Sequence, residues 1–251
     1  MSCGLTIGCK VLSVDSVSVS FPRGLAQVPV LRDVSMEIAP GELFAVYGKR
    51  AAGKTTLLEV TAGLTTPDTG SVAFDGWDLA KTSRRELALL HREKIGWVER
   101  AGPQTADVPM HVYVAMALYR TLSRREAHNR ALTILERVGA RDYAGALWGD
   151  LPHTVRVFVA IAQALVREPQ LLIVDDPVYG LGAIERDDVT ALLREVAEQA
   201  GVAVLLAVPE LPAMLHAHHV RVLANGKLIG PPSADADTGT VVQFPRARRP
   251  A

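Results

Sequence analysis

A glycine-rich loop that ends in Lys-Thr carries the clearest chemical signal in this sequence. Its glycines, Gly48 and Gly53, allow the backbone to wrap closely around a phosphate chain. The N–H groups that begin the following helix attract anions. Lys54 is predicted to reach the outer phosphates, and the Thr55 hydroxyl to ligate Mg²⁺. The alternative is an ordinary strand-to-helix turn with a lysine there by chance. The predicted phosphate cradle consists of Gly48, Lys49, Arg50, Ala51, Ala52, Gly53, Lys54, Thr55 and Thr56.

A second signal comes from a carboxylate that follows a buried segment. Leu171–Val174 are four apolar residues in a row, and Asp175 comes directly after them. An acid at the carboxyl end of a buried parallel strand lies at the edge where open α/β sheets bind ligands. Asp175 is therefore predicted to hold the Mg²⁺ of a bound nucleotide. The alternative is a surface aspartate that merely ends a strand.

These candidate residues need a sheet and helices to position them, and the sequence predicts both. Short apolar runs alternate with amphipathic segments, which indicates an α/β fold with a mostly parallel sheet. The predicted strands are Val17–Phe21, Val28–Ile38, Leu43–Tyr47, Ser71–Phe74, Ile95–Val98, Leu171–Val174, Val202–Leu206 and Val220–Ala224. The predicted helices are Thr55–Ala62, Ser83–His91, most of Val108–Ala144, Val155–Val166 and Ile184–Gln199.

The composition excludes several classes of protein. The chain has 251 residues, with 27 Lys and Arg, 27 Asp and Glu, and 49% hydrophobic residues. That apolar content excludes a wholly disordered chain, and zero net charge removes a global attraction to nucleic acid, so no nucleic-acid partner is expected. No apolar run reaches the ~18–20 residues of a membrane span. The stretch Pro231–Ala251 is rich in Pro, Asp and Arg and is predicted to be a mobile tail.

With these motifs the chain resembles the nucleotide-binding subunits of ABC (ATP-binding cassette) transporters, from about Val11 to Gly230. The stretches Leu31–Glu42, Ser83–Val98 and Ser123–Ala140 are similar to the lipoprotein-release and macrolide-export branch, and Ala164–Pro177 is strongly ABC-like. The resemblance implies a P-loop NTPase fold of the ABC ATPase type, with a mostly parallel core sheet and an antiparallel β subdomain. It also implies a domain at residues 11–230, with a helical subdomain inserted at about residues 101–155.

The same resemblance implies ATP and Mg²⁺ as cofactors and a head-to-tail dimer. In that family each ATP is held between the phosphate loop of one subunit and the signature motif, Leu-Ser-Gly-Gly-Gln, of the other. That motif aligns here with Leu151-Pro152-His153-Thr154-Val155. Because Pro152 lacks an N–H and the glycines are replaced, the contact to a γ-phosphate is expected to be weakened. Thr154 is expected to N-cap a helix that begins at Val155.

Other family positions are also substituted. The glutamate that polarises the attacking water aligns with Asp176, which is one methylene shorter. The switch histidine aligns with Pro209, the glutamine that senses Mg²⁺ with Arg100, and the aspartate that crosses the dimer with Gly182. Phe21 matches the aromatic residue that stacks on adenine; its alternative role is plain core packing. Within the loop, Arg50 and Ala51 replace a Ser-Gly pair.

Retained binding residues beside substituted catalytic positions predict an ATP-binding subunit of a membrane ABC system whose own hydrolysis is weak or absent. The expected partners are integral-membrane permease subunits, docking near Arg100–Asp107, and a second ABC ATPase subunit, with a heterodimer favoured over a homodimer. The expected location is the cytoplasmic face of the cell membrane, peripheral through the permease. One alternative is a non-transporting interaction or scaffold protein of the cell-division ATPase type; another is a soluble P-loop kinase or GTPase. The histidines at positions 216, 218 and 219 have two interpretations, a metal site formed by His216, His218 and His219 or a run of solvated side chains.

Overall fold

The computed structural model describes residues 10–24, 26–98, 107–209 and 216–230. The predicted tail at 231–251 and the predicted site residue Arg100 lie outside these ranges. In chain order the strands are β1 (Leu12–Arg23), β2 (Ala26–Ile38), β3 (Leu43–Tyr47), β4 (Thr69–Phe74), β5 (Trp77–Asp78), β6 (Ile95–Val98), β7 (Leu171–Asp175), β8 (Ala203–Val208), β9 (His219–Ala224) and β10 (Lys227–Ile229). The α-helices are α1 (Lys54–Thr61), α2 (Arg84–Glu93), α3 (Met110–Met116), α4 (Arg124–Arg137), α5 (His153–Leu165) and α6 (Ala183–Ala200).

A six-stranded sheet forms the centre of the fold. Its strand order is β10-β9-β3-β8-β7-β6. All neighbouring pairs are parallel except the hairpin of β9 and β10. The strands β3, β7 and β8 are almost fully buried because helices cover both faces of the sheet, which explains their continuous apolar runs.

A second, antiparallel sheet has the order β2-β1-β4-β5. One face of β1 alternates buried Leu12, Val14, Val17 and Val19 with more exposed neighbours, as expected for a strand with one solvated face. These side chains join α1 and the face of the six-stranded sheet that carries Phe44 in one apolar cluster. The antiparallel sheet therefore holds α1 and the loop that precedes it against the central sheet.

The helices α3, α4 and α5 pack on the other face of the central sheet. Their buried side chains, such as Val114, Leu135 and Val159, belong to one apolar cluster with β7, β8 and α6. Both α2 and α4 begin with a capping box, in which a serine before the helix and a glutamate at its third position bond each other's backbone N–H groups. The sequences Ser83-Arg84-Arg85-Glu86 and Ser123-Arg124-Arg125-Glu126 thus fix where these helices start.

Most of the predicted elements are confirmed. The segment Val108–Ala144 is largely helical, as α3, α4 and a short 3-10 turn. Two strands were not predicted, β5 and β10, because two or three residues are too few for an alternating pattern. In the described part of the chain, every helix is too short or too polar to cross a bilayer.

Candidate nucleotide site

The carboxyl ends of three neighbouring parallel strands bring the central candidate residues together. Residue Tyr47 of β3 pairs with Val208 of β8, and Asp175 of β7 pairs with Ala207. The ladder continues beyond the strands, since Gly48 N donates to Val208 O at 3.2 Å and Asp176 N donates to Ala207 O at 2.9 Å. The glycine-rich loop, Asp175, Asp176 and Pro209 therefore share one edge of the sheet, where the strand pattern predicted Asp175 to lie.

Close packing explains the two glycines of the loop. A Cβ on Gly48 would lie 2.9 Å from Leu223 O, and one on Gly53 would lie 3.0 Å from a methyl carbon of Val30. Gly53 has a φ of 98°, a conformation that disfavours other residues. Ala51 also has a positive φ, 63°. The backbone thus keeps a left-handed turn at Ala51 although the side chain there carries a Cβ, which costs about 1–2 kcal/mol.

The lysine of the loop folds back across it. Lys54 Nζ donates to Gly48 O at 2.7 Å and to Lys49 O at 3.1 Å. Burial lowers the pKa of Lys54, and the nearby carboxylates of Asp176 and Asp175 oppose that shift. The ammonium group holds two carbonyl oxygens of the loop, and Ala52 N donates to Lys49 O at 3.1 Å. These bonds hold the curvature of a loop of the kind that cradles anions.

The residues at the start of α1 and the end of β7 have the donors that Mg²⁺ prefers. Thr55 Oγ1 donates to Asp175 Oδ2 at 2.9 Å. A hydroxyl and a carboxylate are hard oxygen ligands of the kind that hold magnesium beside nucleotide phosphates. The donor set and the cradle therefore fit a MgATP complex, with Thr55 and Asp175 toward the metal and Lys54 toward the phosphates.

A cleft of about 650 Å³ lies beside the loop. It is lined by β2, by the loop and by the β9–β10 hairpin, with the cationic residues Arg32, Lys49 and Arg50 on its walls. Within the described part of the chain, Phe21 does not line this cleft. Phe21 lies opposite Val28 near the turn of β1 and β2 and is 41% exposed. The core-packing alternative for Phe21 is therefore wrong, and its adenine contact remains a prediction.

The segment that aligns with the signature motif forms the start of α5. Leu151 is buried, Pro152 occupies the N-cap position, and the helix begins at His153. The expectation that Thr154 caps a helix from Val155 is wrong. Pro152 already has extended backbone angles, φ −56° and ψ 152°, so helical geometry starts directly after it and Thr154 falls inside the first turn.

The Thr154 hydroxyl instead contacts a residue that sequence reasoning missed. It donates to Glu185 Oε1 at 2.8 Å, while Gly182 N donates to Glu185 Oε2 at 2.7 Å. The His153 ring lies against Gly180, where a Cβ would be 3.2 Å from His153 Cε1. The position of Glu185, third in α6, resembles the glutamates of the α2 and α4 capping boxes. That spacing could have marked it as a helix-start residue, although it does not reveal the contact with Thr154.

The two remaining described positions of the substituted set lie at the sheet edge. Asp176 is half-buried and has a φ of 47°, in the left-handed region that aspartate tolerates better than most residues. Pro209 is half-buried and directly follows β8. Both therefore lie close to Asp175.

The three histidines before and within β9 contact three different carboxylates. His216 Nε2 lies 2.8 Å from Asp187, His218 Nε2 lies 3.4 Å from Glu198, and His219 Nε2 lies 3.1 Å from Glu42. Among residues 10–24, 26–98, 107–209 and 216–230, no three His, Cys, Asp or Glu side chains could together hold a metal ion. The histidine run thus ties the start of β9 to α6 and to the residue before β3.

The comparisons with known proteins point to one family. The family model described as ABC transporter matches residues 31–179, which is more than half of the chain. The chain is 30% identical over 220 residues to the macrolide export ATP-binding/permease protein MacB of Agrobacterium fabrum, covering 87% of this chain and 34% of that protein. It is also 30% identical over 246 residues to MacB 1/2 of Paracoccus denitrificans, covering 92% of this chain and 36% of that protein. The chain spans about a third of the length of these curated relatives.

Solved structures show the same architecture. The cbiO1 protein of Clostridium perfringens, part of the ABC transporter complex cbiONQ, is 25% identical, with a TM-score of 0.78 and coverage of 88% of this chain and 87% of that one. The bacterial ABC transporter cassette MJ0796, solved as a dimer, is 23% identical, with a TM-score of 0.77 and coverage of 86% and 96%. The fold is therefore the P-loop NTPase fold of the ABC ATPase type, as the resemblance implied.

Proposed function

The chain belongs to the ABC transporter family, and on that premise we propose that it binds MgATP as the ATP-binding part of a membrane transporter complex. We assign the ATP-binding domain to residues 11–230, with the helical subdomain at about 101–155 inserted in it. The assembled contact of Thr55 with Asp175, beside a lysine-closed phosphate cradle, is the observation that carries this proposal.

The proposed nucleotide contacts follow from the chemistry of each group. Lys54 and the loop N–H groups would neutralise and orient the phosphates, and Thr55 and Asp175 would hold Mg²⁺. The ion supplies Lewis-acid stabilisation of charge on the phosphate oxygens. The Phe21 ring, which is exposed near the end of β1, would stack on the base.

Hydrolysis by this chain is proposed to be weak or absent. Asp176 is shorter than the family glutamate, Pro209 has no side-chain donor, and Arg100 replaces a neutral amide. Each loss would cost ~1–4 kcal/mol of transition-state stabilisation, by analogy with the deletion of one oxyanion donor. Because cooperating groups do not contribute additively, the total is smaller than the sum.

The selective loss of catalytic over binding residues favours a heterodimer. In such a pair, this chain's loop would hold one ATP firmly, while the loop and glutamate of a second ABC ATPase subunit would perform hydrolysis at the other site. The permease that the pair serves would dock near Arg100–Asp107. The complex would place this chain at the cytoplasmic face of the membrane.

A binding titration tests the nucleotide proposal directly. MgATP binding to the full chain should be measurable by calorimetry, and Lys54→Ala should weaken it at least about tenfold, which corresponds to 1.4 kcal/mol. Lys81→Ala is the control, since the exposed Lys81 ammonium pairs with Asp78 and is not part of the loop. Equal affinities for wild type and Lys54→Ala would overturn the proposed site.

The hydrolysis proposal needs a separate measurement. The purified chain should turn over ATP far below the ~1–10³ s⁻¹ that is ordinary for enzymes. Turnover within that range by the chain alone would refute the degenerate-subunit proposal. Co-purification of the complex, with ATP and ADP counted at each site, should find unhydrolysed ATP at the loop of this chain.

A further inference from the structure

Among the helices that the structure describes, α2, α4 and α6 have a glutamate at the third position, and α6 differs from the other two. In α2 and α4 the glutamate bonds the backbone N–H and the hydroxyl of the serine just before the helix. In α6 the residue before the helix is Gly182, which has no hydroxyl. Glu185 bonds the N–H of Gly182 with one oxygen, and its other oxygen reaches Thr154 on a different helix.

This contact joins two segments that are far apart in the chain. Thr154 and Glu185 are separated by 31 residues. Thr154 lies in the first turn of α5, and Glu185 lies in the first turn of α6, so the contact links the starts of two helices. The His153 ring, next to Thr154 in the chain, lies against Gly180 near the same junction.

The charge of Glu185 suits this position. The Gly182 N–H, then the Thr154 hydroxyl and then the nearby His153 lower the pKa of Glu185, which keeps the carboxylate ionised near neutral pH. Hydrogen bonds to an ionised acceptor are roughly twice as strong as those between neutral groups. The first turns of α5 and α6 are also favourable places for a negative charge.

We propose that Glu185 is a positioning residue that clasps the first turn of α5, residues 152–155, to the loop at residues 180–182. The two substituted positions Thr154 and Gly182 bond the same carboxylate. In α2 and α4 the serine N–H and hydroxyl share one glutamate oxygen, whereas Glu185 uses Oε2 for Gly182 N and Oε1 for the Thr154 hydroxyl. The role of the Glu185 clasp in subunit pairing rests on the proposed function. If ATP-dependent pairing uses residues 151–155, the Glu185 clasp sets the orientation that a second subunit encounters.

Amide hydrogen exchange of the full chain tests the Glu185 clasp without a partner. Thr154→Val and Glu185→Gln should each speed amide exchange about tenfold, both in peptides that cover residues 152–156 and in peptides that cover residues 180–186. The double variant should show no further increase, because the two residues form one interaction. Thr154→Ser should restore the exchange of the wild type, since it keeps the hydroxyl.

A matched control uses the local capping box of α2. Glu86→Gln removes the same type of charge at the same helix position but has no partner on α5. It should change exchange only near residues 83–87. If Thr154→Val leaves residues 180–186 unchanged, or if the two single variants act additively, the Glu185 clasp is refuted.

Measurements on the same samples distinguish a failure of the Glu185 clasp from a failure of the proposed function. MgATP affinity at the chain's own loop should be unchanged in Glu185→Gln, because the Glu185 carboxylate bonds Thr154 and Gly182 rather than residues 48–56. If the wild-type chain fails to bind MgATP while the exchange pattern is as expected, the proposed function fails and the clasp stands. If binding is normal and the exchange pattern is absent, the clasp fails alone.

Discussion

Two regions of this molecule lie near the carboxyl edge of the same sheet and use their polar groups in opposite ways. In the phosphate-loop region, residues 48–56 with Asp175, glycines and donors are arranged around a space for an anion and a cation. In the clasp region, residues 152–155 with 180–185, the polar groups bond each other within the chain. Polar groups near one sheet edge can therefore either surround a space for a ligand or bond each other within the chain, as Thr154 and Glu185 do.

The two regions also differ in whether their glycines could be replaced. In the phosphate-loop region the glycines have no room for a Cβ, because backbone and side-chain atoms approach to 2.9–3.0 Å. In the clasp region a Cβ on Gly182 would meet only Glu185 Oε2 at 3.4 Å, an ordinary contact. The glycines of the phosphate loop are required by close approach, whereas position 182 has room for a small side chain.

A pair of matched glycine substitutions should give the largest contrast. Gly48→Ala forces a Cβ against Leu223 O and should cost about 1–3 kcal/mol of folding free energy, lowering Tm by several degrees and abolishing MgATP binding. Gly182→Ala should change Tm by less than about 1 °C. Thermal unfolding and calorimetric titration check both variants. Similar losses in the two variants would erase the proposed difference between the regions.

A pair of threonine substitutions should give the next largest effect. Thr55→Val removes a proposed Mg²⁺ ligand and should weaken MgATP binding about tenfold or more, while affecting ATP binding in EDTA much less. Thr154→Val removes an equally placed hydroxyl from the clasp region and should leave both affinities unchanged. Titrations with and without Mg²⁺ provide the measurement. A loss of affinity in Thr154→Val would show that the two regions are coupled within one chain.

The pH dependence of stability should test whether the contact of His218 with Leu43 anchors β3, the strand that leads into the loop. His218 Nδ1 accepts a hydrogen bond from Leu43 N at 2.9 Å, so this nitrogen must be unprotonated. Burial and then Arg194 lower the pKa of His218 from its ordinary 6.5, while Glu198 and Glu42 oppose the shift. The unfolded chain therefore takes up this proton more readily than the folded chain.

The contribution of neutral His218 to the free energy of unfolding is therefore complete above about pH 6.5. It is lost as the pH falls through the lowered pKa of His218 in the folded chain. Urea midpoints measured between pH 7.5 and 5.5 should fall more steeply for wild type than for His218→Asn, whose amide oxygen can accept the Leu43 N–H at every pH. Parallel curves for the two proteins would exclude this role of His218.

The smallest expected effect concerns the strained residue of the loop. Ala51→Gly relieves the unfavourable positive φ but adds freedom to the unfolded chain, so the net gain in stability should be below about 1 kcal/mol. MgATP affinity should rise by no more than a few-fold, since the backbone already has the required turn. A decrease in affinity would indicate that the Ala51 methyl group itself contacts the nucleotide.

Local patterns predicted the phosphate-loop region well. The apolar run of β3, two glycines at fixed spacing and the start of α1 are consecutive in the chain, so sequence order alone brings Lys54 and Thr55 to the loop. The position of Asp175 followed from the rule that parallel strands end at one edge. The short β5 and β10 escaped because strands of two or three residues have no readable period.

The clasp region was not predictable in the same way. Its central contact joins residues 31 positions apart on two helices, and neither Thr154 nor Glu185 carries a local signal for the other. The start of α5 was predicted two residues too late, because the backbone of Pro152, rather than the hydroxyl of Thr154, determines where the helix begins. Tertiary packing of α5 against α6 supplies information that spacing along one helix lacks.

The fold-back of Lys54 onto the carbonyl oxygens of Gly48 and Lys49 has a kinetic consequence. A loop whose curvature is already held by these two bonds should need no slow ordering step before a phosphate chain enters. Association of the nucleotide should then be limited by collision and orientation. Differences in occupancy between this chain and its variants should then appear in how long the nucleotide stays. Stopped-flow experiments would find similar association rates and widely different residence times.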